Sequence, residues 1–431
     1  MEGWPRHEAD ELEAVNRVLR SGRVNYWNGE EGRAFEQEFA EYHGMPHAIA
    51  VANGTLALEL ALRALEVGAG DEVVVTPRSF MASVSCVVAC GGRPVFADVD
   101  PDTGNLTVAS VAAALTPRTR AVVAVHLAGW PCDLRALRDL CDRLGLYLIE
   151  DCAQAHGALW NGSRVGSVGD AAAFSFCTDK IISTGGEGGM LLLKDAAAWE
   201  RAWSYKDHGK SWQAVDAEHP PGFRWLHGSF GSNWRLTEMQ AAIGRCQLRK
   251  LAGWVARRTE NAVRLSAGLN GVAGLRLPVC PPQAMPAWYR FYAYVEPEAL
   301  APGWDRDALV AEINSRGGHC LHGGCSEIYR EQAFEGTDLR PRAPLPVARR
   351  LGETSLMFLV DHTLSVEQMG RLADTVAEVM AMATLVERKW PAFERRRRPR
   401  VIAGDRQPEI DRARRYPTIL PAGAGRSRGA G

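Results

Sequence analysis

The sequence predicts an α/β fold in which a mostly parallel sheet carries helices on both faces. Between residues 47 and 194, short apolar segments rich in β-branched residues alternate with segments of helical periodicity, which is typical of repeated strand–helix–strand units. At 431 residues, the chain is long enough for two domains. Because such sheets bind ligands beyond the carboxyl ends of their strands, we expect the functional residues at those ends.

Seven strands and four helices are predicted in this core region. The strands cover residues 47–52, 72–76, 94–98, 121–126, 146–150, 170–176 and 190–193. The helices cover residues 55–65, 81–90, 108–114 and 133–144. Each helix falls between two consecutive strands, as the crossover connections of a parallel sheet require.

Further elements are predicted on either side of the core. Two amphipathic helices precede it, at about residues 8–20 and 33–43. The aromatic and polar segment 22–29 between them is either a loop that closes over a substrate or a packed connector. A long helix over residues 237–269 leads into a region with a strand at 288–295 and helices at 306–315 and 365–382. This mixture is expected of a smaller α/β domain.

We therefore divide the chain into three parts. The N-terminal helices and the large domain cover residues 1–250, the small C-terminal domain covers 251–388, and a tail covers 389–431. The tail holds twelve basic and four acidic residues together with many prolines and glycines. This composition predicts a disordered, solvated segment, and a polyanion-binding arm is the alternative.

Composition and charge argue against several classes of protein. The formal net charge is −1, so neither nucleic acid nor a membrane surface is expected as a general partner. The sequence has no apolar run of the roughly 20 residues that span a bilayer and no signal peptide, and we expect a cytoplasmic protein. The ten cysteines lack paired spacings and are expected to be reduced. No metal is expected, because structural zinc usually takes two separated pairs of ligands, whereas the His and Cys residues of segment 319–325 are packed within seven residues and fit a glycine-rich turn equally well.

Lys180 is the strongest catalytic candidate in the sequence. It follows the predicted strand 170–176 and precedes a glycine-rich turn at residues 183–189, which places an amine at the exit of a core strand. Burial disfavours an ammonium ion, so we expect a lowered pKa and a nucleophilic amine that can form a Schiff base. The alternative is an ordinary surface lysine on a loop.

Three further positions suggest what Lys180 acts on. Asp151 directly follows the predicted strand 146–150, in an apolar setting. It needs a cationic partner there, such as a protonated pyridine nitrogen, or else it caps the next helix. Gly54 and Thr55 begin a helix after a strand, where a phosphate binds well, although ordinary helix caps look the same. Ser175 offers a hydroxyl near this edge. Together with Lys180, these residues predict a site for pyridoxal 5′-phosphate (PLP).

Six segments carry a resemblance to a known family over about residues 12–381. They are residues 53–58, 70–73, 94–100, 150–157, the Lys180 segment 174–189, and residues 233–242. In these segments the sequence resembles the DegT/StrS family of PLP-dependent aminotransferases, which act on nucleotide-linked keto-sugars or keto-cyclitols. The turn after Lys180 is one residue longer than the usual pattern of the family, which leaves the position of Glu187 open.

The resemblance implies a PLP-dependent transferase of fold type I, a homodimer with its active sites at the subunit interface. It implies that Lys180 is the Schiff-base lysine and that Asp151 contacts the pyridine nitrogen. It further implies that Gln154 lies near the phenolic oxygen of the cofactor and that Phe80 stacks on its ring.

The resemblance also implies how the cofactor phosphate is held. Gly54, Thr55 and Ser175 correspond to the phosphate cradle of the family. Asn233 corresponds to a residue that reaches the phosphate from the other subunit. Activity would then depend on dimerisation.

The resemblance predicts a reaction that moves an amino group from an amino acid to a keto-sugar. We expect the amino acid to be glutamate and the keto-sugar to be nucleotide-linked. A keto-cyclitol acceptor is the first alternative. A PLP-dependent sugar dehydratase is disfavoured, because such relatives typically carry histidine in place of the lysine. A PLP-binding regulatory protein is the remaining alternative. The choice of substrate is expected to lie in the segments 22–29, 208–229 and 319–329.

Overall fold

The structure is a computed structural model that describes residues 3–218 and 221–384. Its strands in chain order are β1 (His47–Val51), β2 (Glu72–Val75), β3 (Arg93–Phe96), β4 (Thr119–Val125), β5 (Tyr147–Asp151), β6 (Leu159–Trp160), β7 (Ser163–Arg164), β8 (Ala171–Ser175), β9 (Gly189–Leu193), β10 (Leu275–Arg276), β11 (Ala284–Met285), β12 (Phe291–Val295), β13 (Cys320–Leu321) and β14 (Ser355–Phe358). Its α-helices are α1 (Ala9–Ser21), α2 (Glu31–His43), α3 (Gly54–Ala64), α4 (Ala82–Ala89), α5 (Val108–Ala114), α6 (Leu134–Leu144), α7 (Ala196–Lys206), α8 (Trp212–Asp216), α9 (Glu238–Leu269), α10 (Arg306–Ser315), α11 (Pro346–Thr354) and α12 (Val366–Ala383).

A seven-stranded mixed sheet forms the centre of the fold. Its strand order is β1-β9-β8-β5-β4-β2-β3. The five strands from β8 to β3 are parallel, whereas β9 runs antiparallel to both β8 and β1. Strands β2, β8 and β9 are buried along their whole length, as expected for a sheet covered on both faces. The predicted α/β fold with a mostly parallel sheet is confirmed.

Helices cover both faces of this sheet because its strands present apolar side chains in both directions. On one face, Ile49, Val73 and Leu191 pack with residues of α3, α4 and α7. On the other face, α2 and α9 pack on the part of the sheet around Phe174. Helices α5 and α6 cover the part around Val122 on that same face. The carboxyl ends of the parallel strands are left as one open edge.

The C-terminal region forms a second, four-stranded antiparallel sheet with the order β10-β12-β14-β13. Helices α9, α10 and α12 bury one side of it in an apolar cluster. The strand predicted from residue 288 begins at Phe291, because Trp288 has a left-handed backbone with φ 50° that interrupts an extended chain. A short three-stranded sheet, β11-β6-β7, completes the strands of the described residues.

Most predicted elements appear within two residues of their expected ends, and α5 and α10 have the predicted bounds. Helix α9 crosses the proposed domain boundary at residue 250, so that division stays a proposal. The basic tail 389–431 lies outside the described residues. Among the described residues, the helices are too short or too polar to cross a membrane.

Candidate active site

A cavity of about 980 Å³ opens at the carboxyl edge of the parallel strands. Val125, Asp151 and Ser175, at the ends of β4, β5 and β8, form its floor. Seven of the eight residues that the sequence predicted to bind the cofactor line this cavity, namely Gly54, Thr55, Phe80, Asp151, Gln154, Ser175 and Lys180. The fold therefore brings together residues that are distant along the chain.

Lys180 lies just beyond the end of β8, and its side chain is only 15% exposed. Its ammonium nitrogen lies 3.4 Å from the hydroxyl of Tyr289 and 3.7 Å from Oδ1 of Asp179. The indole N–H of Trp4 donates to its main-chain carbonyl over 2.6 Å. This contact ties the N-terminal segment to the loop that carries the lysine.

The pKa of Lys180 is shifted in the direction opposite to the one expected from the sequence. Burial is the largest single influence and disfavours the ammonium ion, but Tyr289, Asp179 and Cys177 together outweigh it, so the pKa of Lys180 lies above its ordinary value. The expectation of a lowered pKa is wrong, because it counted burial without the acidic neighbours.

Asp179, Tyr289 and Arg290 form a group around Lys180 that the sequence reasoning missed. The hydroxyl of Tyr289 donates to Asp179 Oδ2, and Nη2 of Arg290 donates to the same oxygen over 3.2 Å. All three residues line the cavity. A signal was present for Asp179, because it adjoins the candidate lysine.

Asp151, the last residue of β5, is 4% exposed. Its Oδ2 accepts from the Ser83 hydroxyl over 2.7 Å, and its Oδ1 accepts from the Ala153 N–H over 3.1 Å. Ser83 in turn lies 2.8 Å from the hydroxyl of Ser79. Within the described residues, these partners are neutral, so the buried carboxylate has no cationic protein partner and faces the cavity.

Gly54 and Thr55 form the first turn of α3, directly beside Ser175 at the end of β8. Asn53 caps this helix by accepting from the N–H of Leu56 over 3.0 Å. A Cβ atom on Gly54 would lie 2.6 Å from Cβ of Ser175, so only glycine allows this approach. The helix start, two hydroxyls and free space form a suitable cradle for an anion.

Gln154 and Phe80 complete the predicted group. The side-chain oxygen of Gln154 accepts from the N–H of Ala128 over 2.7 Å, which fixes the orientation of the amide. Phe80 lines the cavity directly before α4 and is 69% exposed. An aromatic ring so exposed at a cavity wall is available to a planar ligand.

Asn233 is the one predicted residue that the chain does not bring to its own cavity. It is exposed, and its backbone forms an isolated bridge with Asp207.

Of the three segments expected to select the substrate, segment 319–329 contributes residues to the cavity. Glu187, in the lengthened turn after Lys180, also lines the cavity.

A buried polar pair supports the floor of the site behind Asp151. Nε2 of His126 donates to Glu150 over 3.1 Å, and Nδ1 accepts from the Cys132 N–H. Burial alone would raise the pKa of Glu150, but the hydrogen bond from His126 and those from main-chain N–H groups hold it below its ordinary value. Within residues 3–218 and 221–384, these two residues and Cys152 lie close enough together to form one group of potential metal ligands. Their hydrogen bonds account for them as structural residues.

Comparison with known proteins identifies relatives of similar length. Residues 5–377 match the model of the DegT/DnrJ/EryC1/StrS aminotransferase family. The dTDP-3-amino-3,4,6-trideoxy-alpha-D-glucose transaminase of Streptomyces venezuelae is 37% identical over 365 residues, which cover 85% of this chain and 90% of that protein. The L-glutamine:2-deoxy-scyllo-inosose aminotransferase of Streptomyces kanamyceticus is 40% identical over 322 residues, 72% of this chain and 74% of that protein.

A solved structure supports the same relationship. The crystal structure of the aminotransferase from Psychrobacter cryohalolentis superimposes with a TM-score of 0.86 at 51% sequence identity. The match covers 88% of this chain and 99% of that one. The chain therefore has the fold of this aminotransferase.

Proposed function

The chain belongs to the DegT/DnrJ/EryC1/StrS aminotransferase family, and we propose that it transfers an amino group from an amino acid, glutamate in the first instance, to a nucleotide-linked keto-sugar with PLP as its cofactor. The observation that carries this proposal is that the buried Asp151 and Lys180 line one cavity of about 980 Å³. A carboxylate without a cationic partner and an amine at a strand exit are the two groups that the pyridine ring and the aldehyde of PLP require.

The residues of the cavity fit this cofactor. Among the described residues, Asp151 is buried with only neutral donors, so a protonated ring nitrogen would supply the missing charge partner. The first turn of α3, with Gly54 and Thr55, and the hydroxyl of Ser175 would hold the phosphate. When bound, PLP supplies an electron sink that labilises the donor Cα–H bond and carries the amino group between the substrates.

Lys180 has two proposed tasks at its Nζ atom. It holds the cofactor covalently before the donor arrives, and once released it moves a proton as a general base and acid. The second task requires the neutral amine, whereas Asp179 favours the ammonium ion. Tyr289, 3.4 Å from Nζ, is positioned to orient the released amine through its hydroxyl.

Two acceptor classes remain in the proposal. The Streptomyces venezuelae relative is named for a dTDP-linked sugar, which supports a nucleotide-linked keto-sugar. The Streptomyces kanamyceticus relative is named for 2-deoxy-scyllo-inosose, which supports a keto-cyclitol as the second candidate. Lysine at position 180 supports amino transfer over the dehydratase alternative. The presence of Asp151 and Lys180 in the same cavity supports an enzyme over a PLP-binding regulatory protein.

A direct test combines both acceptor classes. Purified protein with PLP and glutamate would be incubated with a panel of nucleotide-linked keto-sugars and, separately, keto-inositols. The proposal predicts formation of 2-oxoglutarate that depends on one of the keto-sugars. Turnover with keto-inositols alone would assign the second candidate. Loss of a hydroxyl group from the sugar without use of glutamate would instead support the dehydratase.

We also propose that the active enzyme is a homodimer in which each Asn233 serves the site of the partner. Its exposed position outside its own cavity supports this. The test mixes subunits carrying Lys180→Ala with subunits carrying Asn233→Ala, each inactive alone. Random pairing would restore about a quarter of the wild-type activity, because each mixed dimer then holds one complete site. No recovery in isolated mixed dimers would contradict a shared site.

A further inference from the structure

Among the described residues, two basic side chains line the active-site cavity, and the proposed reaction already uses one of them. The charged residues of the lining are Lys180, Arg290, Asp151, Asp179, Glu187 and Glu331. Lys180 is engaged by the cofactor in the proposed function. Within the described residues, Arg290 is then the only cation of this chain that faces the substrates.

The described partners of Arg290 leave part of its hydrogen-bonding capacity unused. Nη2 donates to Asp179 over 3.2 Å, and Nη1 donates to the carbonyl of Tyr289 over 3.0 Å. A guanidinium group has five N–H donors, and these bonds use two of them. Its central carbon lies 4.0 Å from the centre of the Tyr289 ring, a cation–π contact that helps to hold the group in place. The side chain is 14% exposed, so a ligand that it binds is largely shielded from water.

Asp179 is the replaceable partner in this ion pair. Its side chain is 49% exposed, in contrast to the nearly buried Arg290. A carboxylate from a ligand can take its place on the guanidinium group while Asp179 turns towards water. Such an exchange leaves Arg290 paired at every stage, which avoids the cost of an uncompensated buried charge.

We propose that Arg290 binds the α-carboxylate of the amino donor and that Asp179 occupies this position when no donor is present. This inference rests on the proposed aminotransferase function, because it assigns the donor subsite of the same cavity. Every amino acid donor carries an α-carboxylate and the sugar acceptor does not need one. Asp179 can return to Arg290 once the keto acid product has left, so the guanidinium group stays paired before the acceptor enters. Glutamate and glutamine share this group, and the proposal covers both.

The test measures carboxylate binding separately from turnover. Wild-type protein loaded with PLP would be titrated with glutarate, which has the carboxylates of glutamate but no amino group, and the cofactor absorbance followed. Arg290→Gln should weaken glutarate binding and raise the half-saturating glutamate concentration roughly 10- to 100-fold, since hydrogen bonds between charged groups are lost. Asp179→Asn should instead tighten glutarate binding about threefold or more, because the competing carboxylate is removed.

A matched control exists in Arg276. This arginine also pairs with an aspartate, Asp102, and lies 4.6 Å over a tyrosine ring, but it lines a different cavity. Arg276→Gln should leave glutarate and glutamate binding unchanged. Equal glutarate affinity in wild-type and Arg290→Gln protein would overturn the assignment, as would weaker binding in Asp179→Asn protein. If wild-type protein binds glutarate through Arg290 but transaminates no donor, the proposed function fails and the subsite stands.

Discussion

Replacing Gly54 by alanine tests whether the first turn of α3 holds the cofactor. The new Cβ would lie 2.6 Å from Cβ and 3.0 Å from Cα of Ser175, where ordinary contacts are 3.4–4 Å. Ser175 ends the central strand β8, which pairs with β5 on one side and β9 on the other. Because this strand cannot retreat, the start of α3 must move away from it by about 1 Å.

Overpacking of this kind costs about 1–3 kcal/mol, so Gly54→Ala should lower the free energy of unfolding by that amount in urea denaturation without cofactor. The displaced turn also separates Thr55 from Ser175. We therefore expect the affinity for PLP, titrated by absorbance, to fall roughly tenfold or more, since a 1.4 kcal/mol loss is already tenfold.

Gly253→Ala is the matched control for this substitution. Gly253 lies in helix α9, and a Cβ there meets nothing within 4 Å. Alanine should stabilise this helix by about 0.5–1 kcal/mol and leave PLP affinity unchanged. A Gly54→Ala protein with wild-type stability and wild-type PLP affinity would refute both the packing argument and the assignment of the phosphate cradle.

Three further substitutions follow from the same geometry. Asp151→Asn removes the charge that would pair with the cofactor ring; loss of one partner of a buried pair costs about 3–5 kcal/mol, so single-turnover amino transfer should fall at least 100-fold while the fold persists by circular dichroism. Asp179→Asn should lower the raised pKa of Lys180, so the rate of covalent PLP attachment, which needs the neutral amine, should reach its plateau at lower pH than in wild type; an unshifted profile would contradict this. Glu150→Gln should destabilise the protein by about 1–3 kcal/mol in urea, because the amide NH2 that replaces one carboxylate oxygen cannot accept the main-chain N–H groups that Glu150 now binds, those of Gly166, Val168 and Gly169; an unchanged midpoint would exclude a supporting role. The Glu150 carboxylate, whose pKa is lowered in the fold, contributes stability above its unfolded pKa, and that stability should be lost as the pH falls through the lowered folded value.

The position of the site followed from local patterns in the sequence. Alternating strands and helices predicted a parallel sheet. Asp151 and Ser175 could be placed near strand ends, because Asp151 follows one short apolar segment and Ser175 lies near the end of another. Gly54 and Thr55 were recognisable as a helix start for the same reason. Parallel strands place their carboxyl ends at one edge, so these residues had to meet. The roles of Gln154, Phe80 and Asn233 came from family resemblance and stay proposals.

The surroundings of Lys180 were not predictable, because they depend on contacts between distant segments. Tyr289 lies 109 positions further along the chain. It reaches the site through the left-handed backbone at Trp288 and a close approach to Gly129, where a Cβ would lie 2.8 Å from the Tyr289 nitrogen. No local pattern encodes that approach. The pKa of Lys180 was therefore judged from burial alone, and its direction was wrong.

Transfer of nitrogen by wild-type and Lys180→Ala protein is the most direct test of the central claim. Glutamate labelled with ¹⁵N would be incubated with PLP and the panel of nucleotide-linked keto-sugars, and the products examined by mass spectrometry. Wild-type protein should place the label on a sugar, and Lys180→Ala protein should place none, because both the covalent anchor and the proton carrier are gone. Transfer at the wild-type rate by the Lys180→Ala protein would contradict the account.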